Sequence, residues 1–148
     1  MNRIVIDASV AVKWVVAEAG TPDALILRQS ARFAAPDLLM AECANILWKK
    51  VQRGDLLLEE AGLAARLLQR ADIDLWPMGQ LLETAMRMAV ALNHPAYDCL
   101  YLALAAAQNR QFVTADERLL RRLRQEAALP CDALSLAEAA AALGAAPP

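Results

Sequence analysis

Arg3-Ile4-Val5-Ile6-Asp7 is the stretch that decides the architecture. Three consecutive β-branched residues bounded by polar ones read as a short buried strand, because branched side chains pack well on a pleated surface and poorly in a helix. Asp7 then stands just past the strand's carboxyl end. Open sheets built from strand–helix units keep their working residues at that end, so this first strand already points to a candidate site.

Outward from there the chain alternates. Ser9 to Glu18 reads as a short helix, Gly20-Thr21-Pro22-Asp23 as a break, and Ala24 to Arg32 as a second helix. Ala34 to Asp37 is an extended segment leading into a long helix from Leu38 to about Arg53, stopped by Gly54-Asp55. An amphipathic helix over Glu59–Arg70, a strand Ile73–Trp76 ended by Pro77, and a helix over Met78–Asn93 follow. His94-Pro95-Ala96 opens a helix that carries Asp98, and from Cys99 to Ala107 this helix is apolar on every side, which places it inside the protein. Phe112-Val113-Thr114 is another buried strand, Asp116 opens an arginine-rich helix, and Ala133 to Leu136 is a last strand. Strands alternating with helices predict an α/β fold with a short, mostly parallel sheet and helices on both faces. Residues 1–148 are expected to form one domain, with the alanine-rich end fraying over 143–148.

Composition narrows the chemistry. The chain is 58% hydrophobic, much of it alanine, which suits close helix packing. Charged residues interrupt every apolar stretch before it reaches the ~20 residues that cross a bilayer. The first residues lack the pattern of an export signal, so the expected location is the cytoplasm. Cys43, Cys99 and Cys131 are odd in number and lack C-x-x-C spacing, which argues against a disulfide framework or a zinc knuckle. His94 is the only histidine, which excludes a multi-histidine zinc site. With a formal net charge of −2, overall electrostatics do not draw in nucleic acid, and any such contact must come from local basic patches.

Four acids carry the chemical signal. Asp7 and Asp116 each follow a predicted strand, although each also reads as a helix cap. Asp98 precedes the most apolar helix, where a desolvated carboxylate costs several kcal/mol unless paired. Glu42 shares a helix face with Asn45 and Lys49, which taken alone reads as a solvated stripe. If the fold gathers the four, each pair at ~4 Å and an effective dielectric of about 20 repels by about 4 kcal/mol. Such a cluster needs a cation or raised pKa values, and all-oxygen ligation selects Mg²⁺ or Mn²⁺. A metal so held orients a water and stabilises charge on a phosphate under in-line attack.

Four blocks, Ile4-Val5-Ile6-Asp7-Ala8-Ser9, Glu42-Cys43-Ala44-Asn45, Tyr97-Asp98-Cys99-Leu100-Tyr101-Leu102-Ala103 and Phe112-Val113-Thr114-Ala115-Asp116-Glu117-Arg118-Leu119, occur in the order seen in PIN-domain ribonucleases. The chain resembles these most in their VapC-type form, the toxins of bacterial toxin–antitoxin pairs, over roughly Ile4 to Leu136. The resemblance implies a Rossmann-like PIN fold, a Mg²⁺ site that also takes Mn²⁺, and endonucleolytic cleavage of RNA. It assigns Asp7, Glu42 and Asp98 as core acidic ligands and Asp116 as a fourth, acting directly or through water. It also places Ser9, Asn45 and Thr114 around them, and implies a cognate antitoxin and a homodimer.

Lys13, Lys49 and Arg118 are candidate RNA contacts, with Lys50, Arg53 and the arginines up to Arg124 as similar ones. Basic residues late in a helix also complement its dipole. Trp14, Trp48 and Trp76 read as core or interface anchors, and Trp14, Val15 and Leu25 to Leu27 as part of a groove for an antitoxin helix. His94 reads as a helix-start residue. The competing functions are a haloacid-dehalogenase-like phosphatase, whose usual second aspartate is here Ser9, and a non-enzymatic acidic binding pocket.

Overall fold

The structure, a computed structural model, describes residues 2–144. Five strands form one parallel sheet in the order β3-β2-β1-β4-β5: β1 Asn2–Ile6, β2 Ala31–Pro36, β3 Ile73–Trp76, β4 Gln111–Thr114 and β5 Ala133–Ser135. Among the described residues, eight helices connect and flank them: α1 Ala8–Ala11, α2 Thr21–Ser30, α3 Leu38–Gln52, α4 Leu58–Gln69, α5 Leu82–Leu92, α6 Ala96–Ala107, α7 Glu117–Leu123 and α8 Leu136–Gly144. The α/β class, the parallel sheet and the covering of both faces agree with the sequence reading.

β1 is central because its apolar run suits no other place. Ile4, Val5 and Ile6 are all buried, and β2 and β4 pair with the strand on its two sides. The chain leaves β1 toward β2 and later returns to β4 on the opposite side, so the ends of β1 and β4 flank the point where strand order reverses. Such switch points open a crevice beyond the carboxyl ends. α6 packs against β1, β2 and β4 on one face, with Cys99 through Ala105 all buried. α2 and α8 pack together over the other. Leu102 and Leu104 are fully enclosed, and truncating either to alanine is expected to cost about 2–5 kcal/mol.

Several boundaries differ from the expectation. The first helix is a single turn, α1, followed by a 3₁₀ turn over Val12–Trp14 instead of a helix to Glu18. α2 stops at Ser30, and Ala31 and Arg32 belong to β2, since Arg32 points out while Ala31 and Phe33 are buried in the two-residue period of a strand. Met78–Leu81 is a 3₁₀ turn after Pro77, with α5 starting at Leu82 and Asn93 closing it in a left-handed conformation at φ 49°. The alanine-rich end was expected only to fray, but Leu136–Gly144 forms α8, which buries Leu136, Ala139 and Ala140. Of the expected frayed stretch 143–148, Leu143 and Gly144 lie in that helix, and 145–148 fall outside the described residues.

Candidate active site

Asp7, the first residue after β1, caps α1 by accepting the Ser9 amide at 3.1 Å. The Ser9 hydroxyl donates to the same oxygen, and Thr114, the last residue of β4, donates its hydroxyl to the other at 2.5 Å. Ser9 Oγ also accepts the Ala115 amide at 2.9 Å, and Thr114 Oγ1 accepts the Asp116 amide at 3.0 Å. Both hydroxyl protons are therefore committed to Asp7, and the 3.3 Å approach of the two hydroxyls to each other adds no further bond. Asp7 is buried, and burial pushes its carboxyl up to about 6 against the pull of the two hydroxyls, with the charges of Asp98 and Glu42 adding to the rise.

Glu42 lies on α3, where burial also pushes its carboxyl upward; the Tyr101 hydroxyl, donating to Oε1, works against that rise, and the Asp98 charge adds to it. Asp98, in the first turn of α6, is held at 2.7 Å by His94 Nε2. Three elements thus bring Asp7, Glu42 and Asp98 near enough to feel one another's charge. Each is tied from its own side by a separate partner. Among the described residues, no three His, Cys, Asp or Glu side chains are drawn together closely enough to grip one ion as posed. Like charges hold such groups apart, and the hydroxyl and imidazole ties stabilise the spread arrangement. As a donor set, three neighbouring carboxylates, two of which (Asp7 and Glu42) burial and nearby charge hold above their ordinary proton affinity, suit a hard divalent cation, which would relieve that repulsion with oxygen ligands alone.

Asp116 stands apart. It is exposed, caps α7 by accepting the Leu119 amide at 3.0 Å, and is not among the charges that act on Asp7. Asn45, expected to orient the acids, is exposed and forms no hydrogen bond to them. Lys13 lies in the 3₁₀ turn with its ammonium 3.1 Å from Glu18, which also binds Lys50; it lines a cavity of about 310 Å³ with Thr114, Asp116 and Ser135. Lys49 and Arg118 are exposed. Arg122 and Arg124 already have partners within the chain, Arg122 the Leu92 carbonyl and Glu126, and Arg124, at the surface, Glu138. Trp14 is a core anchor, its ring 4.7 Å from Phe33 and its indole donating to the Ala24 carbonyl, whereas Trp48 is exposed.

Sequence reasoning missed two residues. Tyr101 is fully buried with its hydroxyl on Glu42, and His94 is a partner of Asp98 beyond its place at a helix start. Spacing could have found both. Tyr101 sits three residues after Asp98, His94 four before it, and a phenol in an apolar helix must find an acceptor.

The chain belongs to the PIN-domain family, whose model, described as PIN domain, matches residues 4–126. Its similarities lie with VapC-type members. It is 34% identical over 116 residues, 78% of this chain and 87% of the relative, to a VapC ribonuclease of Mycobacterium bovis, and to the same extent to Ribonuclease VapC9 of Mycobacterium tuberculosis. The fold matches the crystal structure of PAE2754 from Pyrobaculum aerophilum with a TM-score of 0.68 at 21% identity, covering 98% of each chain. Nothing favours the phosphatase alternative: both oxygens of Asp7 are held by hydroxyls, and the residue two positions on is one of the donors.

Proposed function

We propose that the protein is a divalent-metal-dependent endoribonuclease acting as the toxin of a toxin–antitoxin pair. The observation that carries this reading is the meeting of Asp7, Glu42 and Asp98 at the switch point of the sheet, where burial and mutual charge raise Asp7 to about 6. The names of its relatives support the RNA substrate.

In this reading Asp7, Glu42 and Asp98 hold Mg²⁺ or Mn²⁺, with Asp116 reaching the site through water. The bound cation supplies a Lewis acid that acidifies a water and offsets charge building on the scissile phosphate. Ser9 and Thr114 bond both oxygens of Asp7, Tyr101 aims Glu42, and His94 restrains Asp98, so each acid is already oriented, and the charge of a bound cation would draw the three together against their mutual repulsion. Lys49 and Arg118, exposed near Glu42 and Asp116 in sequence, meet the RNA backbone, and Lys13 borders the cavity beside Asp116.

Two surfaces support the partners. A groove of about 640 Å³ runs between Val15–Glu18 and α4, lined by Val15, Leu63 and Leu67 together with Lys50 and Glu60, and this mixture of apolar and charged side chains suits an amphipathic antitoxin helix. Of the residues expected in such a groove, Val15 lines it, Trp14 and Leu27 are spent in the core, and Leu25 and Ile26 are exposed on α2. Leu82, Met86 and Val90 form an exposed stripe at four-residue spacing along α5, which suits a homodimer contact. None of the described helices is long and apolar enough to cross a membrane, and an RNA-cutting toxin works in the cytoplasm.

The test is cleavage of a labelled structured-RNA pool by the purified chain, freed of any co-purifying antitoxin, with Mg²⁺, Mn²⁺ or EDTA, beside Asp98→Asn. Cutting that needs the metal and falls about 1,000-fold or more in the variant is expected, since metal charge stabilisation is worth several kcal/mol. Equal cutting in EDTA, or by the variant, refutes the reading.

A further inference from the structure

The end of the sheet away from the carboxylates holds a charge arrangement that neither the fold nor the nuclease reading uses. β1 and β2 pair with Arg3 directly opposite Arg32. β1 and β4 pair with Ile4 opposite Gln111, which puts Arg110 beside Arg3, and Phe33 opposite Ile73 puts Asp72 beside Arg32. The entering edge therefore carries one row, Asp72, Arg32, Arg3, Arg110, with an arginine on either side of Arg3. Like charges directly opposite on neighbouring strands are destabilising. Among the described residues none of the three guanidinium groups has a carboxylate within ion-pairing distance. Arg110 is lowered from its ordinary value, first by burial and then by Arg3, with Asp74 only partly opposing this.

The three side chains line a cavity of about 470 Å³ together with Phe33, Asp72 and Asp74. Three arginines against two aspartates leave one positive charge in excess. Planar guanidinium forks bind phosphate through paired hydrogen bonds, and a phosphate offers oxygens to several forks at once where a carboxylate offers two. We propose that Arg3, Arg32 and Arg110 form a second phosphate-binding site, at the end of the sheet opposite the carboxylates. Ile4, Val5 and Ile6 separate Arg3 from Asp7, a rise of about 13 Å along the strand, a span that a structured RNA bridges with ease. Assigning the phosphate to the backbone of an RNA held remotely from its cleavage point rests on the ribonuclease reading. A free oligophosphate offers the same chemistry.

The experiment uses the full chain in EDTA, so that RNA is bound and not cut. Affinity for a labelled structured RNA is measured across salt, and affinity for inorganic pyrophosphate by calorimetry, for the parent and for Arg3→Gln/Arg32→Gln/Arg110→Gln. The triple variant should bind RNA about 10-fold or more weakly at low salt, with the slope of log affinity against log salt shallower by about 2, as expected when two to three phosphate contacts are lost. Its melting temperature without ligand should match or exceed the parent's, because repulsion is relieved, and this reads folding separately. Equal affinities of a folded triple variant for both RNA and pyrophosphate overturn the site. Pyrophosphate binding lost with RNA binding unchanged keeps the phosphate site and overturns its RNA source. A parent that binds pyrophosphate through these arginines but neither binds nor cuts RNA sinks the nuclease reading and leaves this site standing.

Discussion

The ends of β1 and β4 carry the same local signal and reach different chemistry. In each, an acid follows a short apolar strand and caps the next helix, Asp7 for α1 and Asp116 for α7. Asp7 is buried under α3 and α6 companions, takes two hydroxyl donors and rises to about 6. Asp116 faces solvent, and its one side-chain bond is the cap. A cap alone is worth about 1 kcal/mol, so the strand–acid–helix motif says nothing about chemistry until neighbours from distant segments close over it.

Asp7→Asn sharpens this contrast most. Cleavage should vanish, while the metal-free protein gains stability at neutral pH. The folded carboxyl at about 6 lies above its ordinary 3.8, so the fold binds its proton more tightly than the unfolded chain does. That contribution is complete below pH ~4 and is lost as pH rises through about 6, at a cost on the order of 2–3 kcal/mol. Asparagine cannot ionise and keeps the cap. Denaturant unfolding in EDTA should show similar stabilities near pH 4 and a variant more stable by about 2 kcal/mol at pH 7.5; parallel pH curves would falsify the assignment of a strained carboxylate.

Tyr101→Phe probes whether Glu42 depends on its buried phenol. Removing a hydrogen-bond partner of a metal ligand typically costs about 10–100-fold in metal affinity, so Mn²⁺ titration should weaken by that order while the fold persists. Unchanged Mn²⁺ affinity would show that Glu42 is aimed by packing alone.

Asp116→Asn should do least. Asparagine caps nearly as well, so stability should move by a few tenths of a kcal/mol, and cleavage should fall by less than tenfold if the acid acts only through water. A loss matching that of Asp7→Asn would erase the distinction drawn between the two strand ends.

Much of the fold was legible because periodicity is local. The run Ile4-Val5-Ile6 and the all-round apolar Cys99–Ala107 could occupy only the interior, and the structure puts them there. Ala31–Arg32 was read as helix end because a strand edge of two residues carries little pattern. α8 was missed because alanine and leucine near a chain end give no polar face to mark a helix, and its partner α2 lies more than a hundred residues away. Within the site, the identities of Asp7, Glu42 and Asp98 came from motif order. The raised proton affinities of Asp7 and Glu42 could not, since desolvation and neighbouring charge exist only once α3 and α6 pack over β1.

The sequence by itself determined which segments are buried, their alternation into a parallel α/β sheet and the acids worth watching, because side-chain hydrophobicity and backbone preference act over a few neighbouring residues. Tertiary structure alone decided that Asp116 stays in solvent, that Tyr101 and His94 hold two of the acids, and that three arginines line up across β2, β1 and the start of β4. Those outcomes depend on strand order and register, through which Coulomb and hydrogen-bond forces act between residues that the chain keeps far apart.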